Sequence, residues 1–346
     1  MYTNQPIDYI QIIPSYRCNR ACSYCYNQYF HQDVEEQPDK LIPSLDSFVK
    51  RQKIPFVAEV IGGEPLHAGT INTTKSVLEI LTHSTFCKKR VLSTACGELR
   101  TLKKIIKLID FVYLSIDISH SVINTKKMDF KRISRVSSFF ANEQVELTLA
   151  VVLYGDETEK DLENFVLFAK DINIENICFG YIGFNHLTSS EIFNYSKLFY
   201  LLFILKNILS KDIFLGGDVL ETLELAVQGI RRQKLCSCGE SSLVFQPEGI
   251  ISPSICIKYI PNSSTSCADF IKMKIERRSA LENSRCNNCE LWPTCLGGCI
   301  GASILLYKNH LYREKVFCSI LCQCWDLIKK DLEIVEMKKL SYRNIS

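Results

Sequence analysis

The sequence lacks any strong excess of charge: 41 lysines and arginines face 38 aspartates and glutamates, a formal net charge of +3 over 346 residues. Such balance gives no electrostatic ground for a nucleic-acid or anionic-membrane partner. Also lacking is a basic N-terminal region followed by an apolar stretch and a small-residue cleavage site, and no uninterrupted apolar segment of membrane-spanning length follows. These absences point to a cytoplasmic protein that engages neither nucleic acid nor membrane. What remains is a globular composition, 47% hydrophobic and 23% charged. The length suits one large domain, or one domain with an appendage.

Cysteine, in contrast, is abundant, with 17 residues. In a short secreted chain they would form a disulfide framework. This chain is long, has a full complement of core residues and lacks a signal peptide, so many cysteines in a reducing compartment point to metal. Three lie before residue 30, three singles (Cys87, Cys96, Cys178) sit in apolar surroundings that suggest buried packing, and eleven follow from Cys236 onward.

The first three form Cys18-Asn-Arg-Ala-Cys22-Ser-Tyr-Cys25, just after the apolar run Tyr9-Ile10-Gln11-Ile12-Ile13, which predicts a strand ended by Pro14. Thiolates so close on one loop can converge on a single soft metal centre. Tetrahedral zinc wants four protein ligands, and no fourth Cys or His lies within the usual few residues; the nearest, His31, fits a solvated loop. Three cysteines suit instead a four-iron cluster with one iron left open to a ligand.

From residue 9 to about 210, strand-like and helix-like segments alternate. Strands are predicted at 9–13, 56–61, 89–94, 111–116, 145–154 and 174–182, and helices at 43–53, 72–85, 99–109, 129–142, 157–171 and 188–210. Six such units imply a parallel sheet with helical crossovers. In parallel barrels the chemistry sits at the C-terminal ends of the strands. Each motif falls at such an end: the cysteine loop after the first strand, Gly62-Gly63-Glu64-Pro65 after the second, and Ser115 and Asp117 closing the fourth. Adjacent glycines let a ligand approach the backbone, and the Glu64 carboxylate can accept from an ammonium group; by itself the segment could equally be an ordinary strand-to-helix turn.

The CxxxCxxC spacing, with Tyr24 before its last cysteine and the GGEP segment one strand later, resembles the radical S-adenosylmethionine (SAM) enzymes. The resemblance implies an α/β fold, a partial (β/α)6 TIM-like barrel over residues 1–211, open because it has six units rather than eight. It implies that Cys18, Cys22 and Cys25 are catalytic and hold a 4Fe-4S cluster, and that Gly62, Gly63, Glu64 and Pro65 receive the SAM amino group. Tyr24 would pack near the adenine. Ser115 and Arg132 (from Asp129-Phe-Lys-Arg132) would hold the SAM carboxylate, with Asp117 and His120 beside the same strand end. The implied chemistry is a 5′-deoxyadenosyl radical that takes hydrogen from an unactivated carbon.

In residues 212–346 the run Cys286-Asn-Asn-Cys289, Cys295, Cys299, with Gly297-Gly298 before its last cysteine, could be a zinc knuckle. It also resembles the SPASM extension of radical SAM peptide-modifying enzymes, a small cysteine-rich domain with two auxiliary 4Fe-4S clusters. By that resemblance Cys286, Cys289, Cys295 and a downstream cysteine, Cys318 ahead of Cys322 and Cys324, hold the outer cluster. Cys299 would join Cys236 and Cys238 on the inner one. Those two, two residues apart, would face one side of a strand. Gln246-Pro247-Glu248-Gly249 forms the hairpin turn. The family then has a cysteine five residues past the glycine, where this chain has Ser254 after Pro253, and the nearest cysteine is Cys256. A shifted ligand, an open site, or ligation by Ser254 or a substrate atom are all permitted, with Cys267 as a further candidate.

The leading functional expectation is a peptide maturase that forms a thioether or carbon–carbon crosslink, or epimerises a residue, in a ribosomally made peptide. The alternatives are a sulfatase-type formylglycine maturase and a non-enzymatic zinc or iron-sulfur protein. The formylglycine branch commonly carries an Asp after the hairpin cysteine, where this chain has Ile257. An isolated cluster carrier would need neither the GGEP turn nor six βα units. With the first strand starting near residue 9, a leader peptide is expected to be recognised by a separate protein, or by the barrel and its extension. A flavodoxin or ferredoxin is the expected electron donor. Trp325 to Lys339 predicts an amphipathic helix packed on the body.

Overall fold

The computed structural model describes residues 6–20, 22, 25, 36–95, 98–118, 130–182, 187–209, 213–234, 236–255 and 266–343, the last twelve as backbone. Strand β1 (Tyr9–Ile12) sets the logic of the sheet. Ile10 and Ile12 are fully buried, in one core with Leu41 and Leu45 of helix α1 (Pro38–Arg51), while Tyr9 and Gln11 take the opposite face. There Tyr9 and Gln11 donate to Glu59 of β2 (Phe56–Val60), and Ser93 of β3 (Cys87–Thr94) donates to the same carboxylate. One face of the sheet is thus apolar beneath the helices, and the other carries a polar network.

The series continues through β4 (Phe111–Asp117), β5 (Glu146–Leu153) and β6 (Asn176–Tyr181), each parallel to its predecessor. The crossovers are α2 (Ile71–Thr82), α3 (Leu99–Leu102), α4 (Phe130–Asn142) and α5 (Glu159–Asp171). In α5 the expected apolar face, Leu162, Phe165, Val166 and Ala169, is buried, and Thr158 with Asp161 closes a capping box at its start. The strands pair so that their ends align, with Ile12 opposite Val60 and Val60 opposite Leu92. Loops leaving β1, β2 and β3 therefore emerge side by side.

Two helices differ from expectation. The helix predicted at 99–109 leaves helical geometry at Ile105 (φ −128°) and tightens into a 3-10 turn over Ile106–Leu108. That break lets Leu102, Ile105, Ile106 and Ile109 all reach the core. The C-terminal helix, α11 (Lys315–Arg343), begins ten residues earlier than predicted, so Cys318, Cys322 and Cys324 are helical.

Helix α6 (Ser189–Leu209) is long and apolar enough to cross a membrane by length and composition. One face of it is in the core, with Tyr195, Leu198, Phe199 and Leu202 buried, and it packs against α11 and α7 (Asp218–Val227), while Phe193 and Ile208 are exposed. The sheet runs across position 211. Beyond it, β7 (Phe214–Gly216) adds to β6, and β8 (Ser242–Phe245) pairs in parallel with β1. The antiparallel β9 (Ile251–Ser252) completes a nine-stranded partial barrel in the order β7-β6-β5-β4-β3-β2-β1-β8-β9. The cysteine-rich part follows as α8 (Cys267–Glu282), a 3-10 turn at Arg285–Asn288, α9 (Trp292–Cys295), α10 (Ile300–Tyr307) and α11.

Candidate functional site

The loop bearing Cys18, Cys22 and Cys25 leaves β1 and lies across the turn after β2. Gly63 N–H donates to Ser15 O (3.0 Å) and Glu64 N–H to Arg17 O (2.8 Å). The two glycines are required by that approach. A Cβ on Gly62, whose φ is +137°, would stand 2.7 Å from Ser15 O, and one on Gly63 would stand 2.2 Å from Arg17 O. The sequence reading gave this closeness to a ligand; the chain's own segment 15–17 occupies it. The GGEP turn thereby fixes the stem of the cysteine loop.

Glu64 is only 3% exposed, and its carboxylate accepts from Leu66 N–H (3.0 Å), Thr94 Oγ1 (2.5 Å) and Ala95 N–H (2.9 Å). About one acceptor position of a carboxylate's four is left for an ammonium group. Ala95, just past β3, is a hub: Arg20 donates to its carbonyl at 3.0 Å and Arg132 at 3.1 Å. Arg20 also stands 3.8 Å from Asp117 at the end of β4. The geometry thus joins Glu64, Asp117 and Arg132 around the cysteine loop, while Ser115 sits two residues back along β4. Pro65 gives its carbonyl to Thr74 Oγ1 (2.7 Å) at the start of α2. Sequence reasoning missed Arg20 and Ala95; Arg20 could have been found, since it lies inside the cysteine motif. Tyr24, Asp129, His120, His31, Cys96 and Cys256 lie outside the described residues.

The three thiols are half-buried. Arg20 N–H points at Cys18 Sγ (3.4 Å), and Cys25 N–H closes on Cys22 O (3.1 Å). Burial pushes the Cys18 thiol up, with Glu64 and Cys22 adding to the rise. Three thiols on a short, pinned loop with a backbone donor on one sulfur fit the donor set of a four-iron cluster with one open iron. Among the described residues no three His, Cys, Asp or Glu side chains close on one point, so the fit rests on the loop and its donors.

The second cysteine set comes from three elements. Cys286 lies in the Arg285–Asn288 turn, Cys289 caps it, Cys295 ends α9, and Cys318 and Cys322 sit one turn apart on α11. Burial first, then Cys318, Cys289 and Cys286, push the Cys295 thiol up to about 12, which puts these sulfurs in one electrostatic neighbourhood. Cys322 bonds the Cys318 thiol and pulls it down, with Arg313 assisting. Cys324 points elsewhere: fully buried, it donates to Ser196 O of α6 (3.1 Å). Of the three downstream cysteines, then, Cys318 and Cys322 face the set and Cys324 belongs to the core.

The upstream group has the expected β8–β9 hairpin, with Gly249 at φ +79° in its turn. Cys236 and Cys238 precede β8 in a loop rather than a strand, joined to it by a single bridge from Cys238 to Ser242. The Cys238 thiol takes hydrogen bonds from Cys236 and then from the Ser254 and Ser242 side chains, which pull it down. Ser254 is fully buried there. Cys267 is buried in the main core at the first turn of α8.

Cys299 is tied to the barrel by a residue the sequence did not reveal. Its N–H donates to Glu314 (2.7 Å), whose other oxygen accepts from Tyr181 at the end of β6 (2.5 Å). Burial pushes Glu314 up to about 7. Arg277, also buried, donates to the carbonyls of Gly297 and Gly298, to Ser303 Oγ and to His310 O. No local signal could have found a bond between residues 133 positions apart. Cys87 and Cys178, expected to be buried, are half-buried.

A three-cysteine loop at the strand ends of a parallel partial barrel, with a second cysteine set joined to the same mouth, is an arrangement similar to that of the radical SAM enzymes with a SPASM-type extension. No protein-family model matches the chain. The chain is 24% identical over 360 residues to the radical SAM cyclopropyl synthase TigE of Paramaledivibacter caminithermalis, covering 92% of this chain and 73% of that protein. Its fold is similar to that of anSMEcpe solved with bound AdoMet and the Cp18Cys peptide (TM-score 0.70, 17% identity, 95% of this chain and 99% of that one). It is also similar to Streptococcus suis SuiB bound to precursor peptide SuiA (TM-score 0.62, 16% identity, 90% and 76%).

Proposed function

We propose that this chain is a cytoplasmic peptide maturase that removes hydrogen from a ribosomally made peptide and closes a thioether or carbon–carbon crosslink. The observation that carries the reading is the Tyr181–Glu314–Cys299 link, which ties the second cysteine set to the end of a barrel strand. Cys18, Cys22 and Cys25 would hold the cluster, which with SAM would supply the hydrogen-abstracting radical chemistry. The chain's own part is positional. Gly62 and Gly63 let the cysteine loop lie close, Glu64 offers its remaining acceptor to the methionine ammonium, and Arg132 beside Ala95 is placed for the carboxylate.

In this reading Cys286, Cys289, Cys295 and Cys318 hold the outer auxiliary cluster, and Cys236, Cys238 and Cys299 the inner one. A crosslink would take two hydrogens from the peptide, one as a hydrogen atom onto the deoxyadenosyl group and one as a proton to solvent, and a cluster held by these cysteines would supply the one-electron acceptor. The name of TigE, a cyclopropyl synthase, supports carbon–carbon closure. The names of the anSMEcpe and SuiB complexes support a peptide substrate.

The test incubates the reduced enzyme and SAM with the small peptide encoded beside its gene. The expected product is lighter by two hydrogens and unreactive to hydrazide, with fragmentation suppressed between the joined residues. A hydrazide-trapped carbonyl would move the assignment to formylglycine formation. Unchanged mass with deuterium taken up from heavy water would move it to epimerisation.

A further inference from the structure

The barrel carries a cleft at the end away from the cysteine loop. About 650 Å3 in volume, it lies against the first residues of β4 to β7, and α7 forms its other wall. One rung of the sheet runs along it. Ser93, Tyr113, Thr148, Asn176 and Phe214 are successive register partners on five neighbouring strands, so their side chains share the face that carries Glu59. The last four of them line the cleft.

Ser93 donates its hydroxyl to Glu59, but the next three polar groups have no such use. The Tyr113 hydroxyl, the Thr148 hydroxyl and the Asn176 amide have no hydrogen-bond partner among the described residues, although Thr148 is only 6% exposed. Buried polar groups are ordinarily satisfied, so a row of three, on strands about 4.8 Å apart, calls for a partner from outside the fold. The charges on the wall, in contrast, are already paired. Glu146 holds Lys89 (2.7 Å), Glu224 holds Lys206 (2.6 Å) and Glu221 holds Arg232 (2.9 Å). The two lysines also sit over the Phe111 and Phe214 rings, at 4.3 and 4.7 Å.

We propose that this cleft binds a small, neutral, planar heterocycle with an amide-type edge, the chemistry of a nucleobase. The Asn176 amide offers two donors and an acceptor to such an edge, and the Tyr113 and Thr148 hydroxyls serve as either. Phe111, Tyr113 and Phe214 give the ring apolar contact. A charged ligand would find no counter-ion here without breaking an existing pair. The volume is that of a small-molecule pocket. The cysteine loop leaves the opposite, C-terminal end of β1, so this site is separate from the one described above and stands independently of the proposed function.

The experiment titrates the holoprotein with uracil and with uridine by isothermal calorimetry, with and without excess SAM, and repeats the titrations on Thr148→Val and Asn176→Leu. Wild type should bind one ring per chain, with the same affinity at low and high salt. Each variant should bind about tenfold more weakly, the loss of one buried hydrogen bond. Thr148→Val keeps the shape of the side chain and removes a hydroxyl that the fold does not use, so its melting temperature should equal or exceed that of wild type. Uridine binding more tightly than uracil would support a nucleoside as the ligand, and equal binding the free base.

Any of four results would overturn the proposal. They are no binding of either probe at millimolar concentration, binding abolished by SAM, tighter binding of the planar cation benzamidine, and affinity unchanged in both variants.

Discussion

Replacing Gly63 by alanine tests how the cysteine loop is held. The new Cβ would stand 2.2 Å from Arg17 O and 2.6 Å from the Tyr16 carbonyl carbon and oxygen. All three are backbone atoms, so no side chain can swing away to relieve the contact. The 16–17 backbone would have to withdraw by about an ångström, at an overpacking cost of about 1–3 kcal/mol. Withdrawal also strains the Gly63–Ser15 and Glu64–Arg17 hydrogen bonds, and each buried bond lost costs about 1–3 kcal/mol more. That strain falls on the stem of Cys18 rather than on the core, so the fold should survive while the loop shifts. A misplacement of this size should lower deoxyadenosine formation by about a hundredfold. The assay is deoxyadenosine release under excess SAM and reductant, with iron content and circular dichroism measured on the same sample. Gly69→Ala is the control, because its Cβ would meet only side-chain atoms, the flexible Arg17 Nη1 at 3.1 Å and the His67 ring at 3.4 Å. Wild-type turnover and iron in Gly63→Ala, or equal damage in Gly69→Ala, would refute the reasoning.

Exchanging Cys18, Cys22 and Cys25 together for alanine should abolish deoxyadenosine formation while leaving the iron of the second cysteine set, as counted by iron analysis and electron paramagnetic resonance. Arg277→Met removes four hydrogen bonds; Gly297 O keeps Glu314 N–H, and each buried acceptor left without a donor costs about 1–3 kcal/mol. It should lower the melting temperature and the auxiliary iron content, with SAM cleavage retained. Glu157, which accepts from Tyr154 and Gly155 N–H, has its carboxyl pushed above the ordinary value by burial. The folded state therefore holds this proton more tightly than the unfolded state. Its stabilisation is complete at low pH and is lost as pH rises through the folded value. Urea titrations across that range should show wild type losing stability relative to Glu157→Gln as pH increases; a constant difference would contradict the burial argument.

Much of the architecture was legible because its signals are local. Period-two and helical hydrophobic patterns repeat within each βα unit, so all six expected strands formed within a few residues of their predicted ends. The cysteine spacing and the GGEP segment are likewise contiguous, and both lie at the strand ends where a parallel barrel places chemistry. Helix 99–109 was misjudged because its four apolar residues satisfy the core equally well through a broken helix.

Tertiary structure decided what depends on residues far apart in the chain. Sequence could not choose among Cys318, Cys322 and Cys324. Once α11 begins at Lys315, Cys318 and Cys322 share a face, while Cys324 is turned about 200° from Cys322 toward Ser196. The Gly62-Gly63 pair announced a close approach but not its occupant, which the register of β1 against β2 makes the cysteine loop itself. Glu314 is an ordinary glutamate in the sequence. Only folding sets its carboxylate between Tyr181 and the Cys299 amide, because a buried acid must find its donors wherever the packed elements bring them.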